Sequence, residues 1–228
     1  MDRIEIHVGK HDDGYSCTEE VFICLLQWLN SEYQFIFRDC WMFEYQEETQ
    51  ISKCLVFDPH IGTNLDYAKK YYGIEFIKKG ITANCVNELM ELIHGGYSIP
   101  LEINGFWCNW LVQYKRKNVE HAIILNGYNE ENKEFEGVDP YYEKESIKIP
   151  VNEVMNGAIQ YYCYEIVESS LYSYSLVDEI RSLCENYIKR DSLINLKKFQ
   201  SEFINQYEEF CNQLCGKYTD SIFYQAID

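Results

Sequence analysis

No CxxC pair occurs among the ten cysteines, so the chain carries no sign of a zinc ribbon or a dithiol redox motif. Long apolar runs are also missing. Nothing approaches the roughly twenty residues a membrane span needs, and Met1 leads directly into Asp2 and Arg3 without a secretory-type apolar stretch. The expectation is a cytoplasmic chain with no membrane partner. Positive charge is scarce: 20 Lys and Arg stand against 37 Asp and Glu, a formal net charge of −17. That balance argues against nucleic acid as the main partner and leaves basic peptides, amine acceptors and carrier-bound acyl groups open. No cluster of His, Cys, Asp and Glu has metal-ligand spacing, so neither a metal nor another cofactor is expected. Internal repeats and low-complexity tracts are absent.

What the chain has in quantity is aromatic surface to bury, 16% of its residues. Over 228 residues this suits one mixed helix-and-strand domain with an appendage. The organising stretch runs from His121 to Tyr142. Ala122 to Leu125 is an apolar, partly β-branched run; Asn126-Gly127 and Asn129 to Asn132 carry turn chemistry; Phe135, Val138 and Asp139-Pro140 follow. This reads as a β-hairpin that opens on a histidine and closes on an aspartate. In an antiparallel pair the start of one strand lies beside the end of the next, so His121 and Asp139 are expected to meet. An imidazole steered by a carboxylate is the base half of a nucleophilic triad.

The nucleophile is expected near the N-terminus. Val21, Phe22, Leu25, Leu26, Trp28 and Leu29 have the spacing of a largely buried helix, and Ser16 with Glu19 forms the capping-box pattern at its start. Cys17 is then the first helical residue. Unpaired backbone N–H groups and the positive end of the helix dipole favour the anionic, nucleophilic form of a thiol placed there. The other cysteines mostly sit in apolar patterns as buried thiols do, and Cys211 and Cys215, on one predicted helix face, are read as core residues.

Elsewhere the chain reads as a short strand over Ile4 to Val8 and aromatic-rich extended structure from Ser31 that ends in a strand over Cys54 to Phe57. Asp58-Pro59-His60 breaks it. A short helix over Leu65 to Tyr72, a strand over Ile74 to Ile77 and a helix over Val86 to Ile93 follow. Tyr97 to Ile103 is a strand that Pro100 confines to an edge or a strand start. Trp107 and Trp110 are candidates for a pocket wall. After the hairpin come a strand over Ser146 to Ile149, a helical turn over Val151 to Gly157 and a strand from Tyr161 to Val167. From Ser173 the pattern turns helical, over Leu176 to Ile188 and Leu193 to Leu214. A boundary near Ser169-Ser170 is therefore expected, giving residues 1–168 as the catalytic domain and 169–228 as a helical appendage, read as the start of a truncated second domain.

A cysteine at an early helix start, a histidine opening a strand about a hundred residues on, and Asp-Pro closing the next strand follow the order of papain-like thiol enzymes. YSCTEEVFICLLQWLN with IPLEINGFWCNWLVQYKRKNVEHAIILNGYN resembles the N-terminal domain of the butirosin-biosynthesis acyltransferase H family. More distantly, the hairpin with VDPY resembles the double-glycine-leader (bacteriocin-processing) cysteine peptidases. The resemblance implies an α+β, papain-like (cysteine-proteinase) fold, an N-terminal helix packed on an antiparallel sheet with a C-terminal helical appendage. It implies a Cys17–His121–Asp139 triad and acyl transfer through a thioester enzyme intermediate, with an acyl carrier protein as partner and an amine as acceptor. Peptide cleavage by the same triad is the alternative, and a catalytically silent binding module the third reading. Papain-like enzymes usually carry a glutamine upstream of the cysteine. Here the position six before Cys17 is His11, assigned with Trp107 and Trp110 to substrate binding.

Overall fold

A computed structural model describes residues 3–12, 14–38, 43–45, 55–57, 65–167 and 175–205. In chain order these form helix α1 (Cys17–Trp28), strands β1 (Phe43–Tyr45) and β2 (Leu55–Phe57), a π-helical turn (Ala68–Tyr72) and strand β3 (Ile74–Gly80). Helix α2 (Cys85–His94), strands β4 (Ile99–Asn104), β5 (Glu120–Asn129), β6 (Glu134–Asp139) and β7 (Lys144–Pro150) follow. Helix α3 (Val151–Gly157), strand β8 (Ala158–Ile166) and helices α4 (Leu176–Lys189) and α5 (Ser192–Asn205) complete the series. The chain divides into two compact units, Met1–Phe35 with Leu65–Leu171 and Ile36–Asn64 with Tyr172–Asp228.

The first unit is an α+β arrangement. Its six-stranded sheet has the order β3-β8-β4-β5-β6-β7, antiparallel throughout. Helix α1 lies against β5 and β4, and every residue from Glu20 to Leu26 is buried, as its all-round apolar sequence requires. Strand β5 is likewise buried from His121 to Gly127. Helix α2 buries the i, i+4, i+8 stripe Cys85, Leu89 and Ile93 and stops at Gly95, followed by Gly96 at φ 87°. Leu89 and Ile93 join Leu101, Ile103, Ile123, Leu125 and Phe135 in one apolar cluster. That cluster fixes the two strands that carry the histidine and the aspartate.

Two local expectations change. Asn126-Gly127 is not the hairpin turn: β5 runs on to Asn129 through a bulge between Leu125 and Gly127, and the turn falls after it, with Lys133 at φ 53°. Turn chemistry and bulge chemistry use the same residues. Here Gly127 lets Glu136 approach, since a Cβ on it would lie 3.3 Å from the Glu136 Cβ. Ile4 to Val8 is not a strand either. The β4 ladder on β5 ends at Leu125, and just past it Asn126 receives the Ile4 N–H at 2.9 Å and donates its side-chain amide to the Ile4 carbonyl at 2.7 Å. One residue thus replaces a ladder, and Arg3 tightens the attachment by donating to Asn126 Oδ1 and to the Glu145 carbonyl. Pro100 does fall at a strand start, as expected, although β4 is an interior strand. Its pairing with β8 begins only at Leu101, so Pro100 stands at the strand start where no N–H is needed on that side.

In the second unit β1 pairs antiparallel with β2, and α5 lies against β1. Arg38 joins Glu179 at 3.0 Å and donates to the Ser182 hydroxyl at 2.8 Å. Cys54, Asp58-Pro59-His60, the Ser169-Ser170 boundary, the predicted helix beyond Asn205 and Cys211 and Cys215 lie outside the described residues. Among the described residues no helix is long and apolar enough to cross a membrane.

Candidate active site

The capping box read from the sequence is formed: Ser16 receives the Glu19 N–H, and Glu19 Oε2 accepts the Ser16 N–H at 2.7 Å. It sets Cys17 as the first residue of α1, partly exposed. Across from it, β5 and β6 place the other two members. Val138 lies opposite Ile124, so Asp139 falls next to Ile123, diagonal to His121 on the same side of the ladder. The imidazole and the carboxylate meet at 2.7 Å, His121 Nε2 to Asp139 Oδ2, with His121 5% and Asp139 0% exposed.

A buried carboxylate must be saturated with donors to stay ionised. Asp139 Oδ2 also accepts the Trp110 indole N–H at 2.7 Å, and Oδ1 accepts the Tyr142 backbone N–H at 3.2 Å. Nε2 is engaged by Asp139, and the hydrogen bonding and charge of the Cys17 side chain also act on the His121 ring. The thiol, the imidazole and the carboxylate therefore form one continuous chain. Rings enclose it: Tyr142 lies 5.5 Å and Tyr141 6.3 Å from His121, centroid to centroid.

Burial opposes a charge on His121, but its hydrogen bonds to Asp139 and to Cys17, with the charge of each, outweigh burial and hold the imidazole up at about 9. The site is thus built around an imidazolium beside a sulfur. The sign of the linkage follows. The folded value lies above the ordinary 6.5, so this pairing stabilises the protein in full below that value and ceases to as pH rises through about 9. We expect the His121 ring resonances to titrate near pH 9, and the stability difference between wild type and His121→Gln to shrink over the same interval. A midpoint at or below 6.5 would show that the carboxylate and the sulfur do not act on the ring.

Four other described cysteines are held in the thiol form. Burial pushes the Cys24 thiol up to about 12, with the nearby Glu20 charge adding to it, and burial raises Cys85, Cys108 and Cys163 as well. Cys24, Cys85 and Cys108 are buried, Cys163 packs partly buried against the core, and Cys184, against expectation, is exposed.

Of the three side chains assigned to substrate binding, two join the site. Trp110 does so as a donor to Asp139 rather than as a free wall. His11 packs its ring on Tyr141 at 4.3 Å, and its Nδ1 lies 3.0 Å from Glu20 Oε1. The described contacts of Trp107 are instead with Phe106, with Gly157, where a Cβ would come within 2.8 Å, and with Lys115, whose ammonium sits 3.4 Å above its ring. None of these belongs to the triad. Sequence reasoning missed Glu20, which looks like an ordinary acidic residue in a first helical turn, and the Tyr141-Tyr142 pair. Their adjacency to Asp139 was the available signal. Among the described residues no group of three His, Cys, Asp or Glu side chains is placed to hold a metal ion.

No profile of a known protein family matches the sequence, and no curated protein matches it. Several solved structures are similar, two of them as follows. One is described as a C39-like peptidase from Bacillus anthracis, at 16% identity and a TM-score of 0.42, over 70% of this chain and 94% of that one. The other is the N-terminal peptidase C39-like domain of the toxin secretion ATP-binding protein from Vibrio parahaemolyticus, at 11% identity and a TM-score of 0.37, over 67% and 98%.

Proposed function

We propose that the chain is a papain-like thiol enzyme that carries an acyl group on Cys17. The observation that supports this most directly is His121 bonded on one side to Asp139 and on the other to Cys17, with its protonated form favoured. In this reading the Cys17 thiolate attacks a carbonyl carbon and the S–C bond forms. His121 gives its proton to the leaving amine or thiol, and a thioester remains on the enzyme. Neutral His121 then takes a proton from the acceptor as it attacks the thioester, and Cys17 departs as thiolate. Asp139 stays ionised throughout and keeps the ring in the orientation that points Nδ1 at sulfur.

The acceptor separates two versions of this chemistry. The resemblance of residues 15–30 and 99–129 to the butirosin-biosynthesis acyltransferase H family favours an amine acceptor and an acyl group delivered on a carrier protein in cytoplasmic specialised metabolism. Water as acceptor makes the same site a peptidase or amidase. Product analysis decides: the enzyme incubated with an acyl thioester and an amine is expected to yield amide and, transiently, a protein species heavier by one acyl group on Cys17. Free acid alone with the same adduct identifies the hydrolase. No adduct on Cys17 from any acyl donor, including a peptide thioester, contradicts the enzyme reading and leaves a binding module.

A further inference from the structure

The stretch from Phe106 to Lys115 carries two tryptophans, and only one of them serves the triad. Trp110 donates to Asp139, whereas Trp107 belongs to a different cluster. Gly157 leaves room for it there, since a Cβ on that residue would lie 2.8 Å from Trp107 Cβ and Cδ1. The Lys115 ammonium stands 3.4 Å from the centroid of the Trp107 ring, 5.1 Å from that of Tyr114 and 5.4 Å from that of Phe106. One cation is thus within reach of Phe106, Trp107 and Tyr114 together, the kind of aromatic cage in which proteins recognise organic ammonium groups.

A carboxylate completes the cluster. Glu153 is 7% exposed, an unusual burial for its type. Its Oε1 accepts the Tyr114 hydroxyl at 2.6 Å and lies 3.4 Å from Lys115 Nζ. Its Oε2 is buried without a hydrogen-bond partner among the described residues. An acceptor buried in this way carries the full cost of its lost hydration, so the carboxylate has room for a donor that the chain does not supply. Lys115 fills the place incompletely. Its contact with Oε1 is longer than the about 2.7–2.9 Å of a well-made charge-assisted hydrogen bond. Its side chain is 39% exposed, and its backbone is left-handed at φ 54°, a conformation unfavourable to any residue with a Cβ. An ammonium on an untethered chain is free of that backbone and has three N–H groups with which to bridge both oxygens over the Trp107 ring.

We infer that Phe106, Trp107, Tyr114 and Glu153 form a binding site for small primary alkylammonium ions, in which Lys115 is a displaceable internal occupant. The inference goes beyond the acyl chemistry proposed for Cys17 and requires none of it. The ligand class follows from the groups present. Ring faces and a carboxylate select positive charge, the rings also take up an alkyl tail, and the formal net charge of −17 draws cations to the protein. A neutral alcohol of the same length offers the tail without the charge and has no comparable hold on the cluster.

The test follows the Trp107 indole N–H signal by NMR in the full-length protein, assigned with Trp107→Phe, as butylammonium chloride is added at constant ionic strength. Lys115→Gly removes the internal occupant and suits a backbone at φ 54°, so the variant is expected to keep its fold, which its melting temperature checks. Wild type should show a saturable shift of Trp107. Lys115→Gly should bind butylammonium about tenfold tighter, the combined worth of one exposed ion pair and one exposed cation–π contact no longer competing. Butanol should give no saturable shift in either protein. Equal responses to butanol and butylammonium, equal affinity in the two proteins, or no saturable shift in either overturns the inference. Saturation confined to Lys115→Gly overturns it too, because the lysine is then a permanent part of the fold. Should Lys115→Gly melt too early to titrate, the wild-type comparison of butylammonium with butanol decides alone.

Discussion

Asp139→Asn is expected to lower the proposed acyl transfer about ten-thousandfold, the loss recorded when the carboxylate of a Ser-His-Asp triad is made an amide. The cause is specific to what meets at this side chain. Three N–H donors converge on Asp139: His121 Nε2 and Trp110 Nε1 on Oδ2, and the Tyr142 backbone on Oδ1. An asparagine has one accepting oxygen and an NH2 group that only donates, so at least one of the three faces another donor. If that one is His121, the neutral ring must carry its proton on the other nitrogen, and Nδ1 can no longer take up a proton. Removing the charge also removes part of what opposes burial, so the imidazole falls below about 9 and toward its neutral form. A buried donor left unpaired costs about 1–3 kcal/mol, so the variant should also melt earlier. Steady-state acylation of Cys17 measures the first effect and thermal unfolding the second. A loss under tenfold would mean that the carboxylate does not steer the ring.

Gly137→Ala should destabilise the first unit by about 3 kcal/mol, at the upper end of what inserting a methyl into a packed interior costs, and remove activity with it. A Cβ on Gly137 would stand 2.5 Å from the Ile124 carbonyl oxygen and 3.4 Å from Ile147 Cγ1. The first contact is with backbone, which cannot rotate away, so β5 and β6 have to separate. Separation at this point moves Asp139, two residues on in β6, away from His121 in β5. For a unit of this size the melting temperature should drop by roughly 6–12 °C. Gly9→Ala is the control, since a Cβ there meets nothing within 4 Å. Equal melting of both variants would show that the two strands are not spaced as described.

Much of the site was legible because its parts are local. The capping box needs only Ser16 and Glu19, and it fixes Cys17 at a helix start. The hairpin needs only two short apolar runs and a polar link, and it brings His121 to Asp139. What stayed hidden depends on partners remote in sequence. Trp110 reaches Asp139 across 29 positions; nothing in its neighbourhood marks it as a donor instead of a pocket wall. Glu20 was hidden for a different reason. An acidic residue in a first turn is ordinary on electrostatic grounds alone, and only its contacts with His11 and Asp12 reveal what it holds. The Asn126-Gly127 pair was misread because its turn chemistry is real but is spent on a bulge that receives Ile4. The grouping of 36–64 with 172–228 joins segments distant in sequence, which periodicity does not encode.

The most direct test of the central claim is the rate at which Cys17 is alkylated by iodoacetamide between pH 5 and 10, in wild type and in His121→Ala. An imidazolium paired with the sulfur predicts a rate near neutral pH well above that of a free thiol. Exchange of His121 for alanine is expected to slow it and to move the whole profile up to that of an ordinary cysteine. Superimposable profiles for the two proteins would contradict the pairing of Cys17 with His121 and, with it, the proposed chemistry.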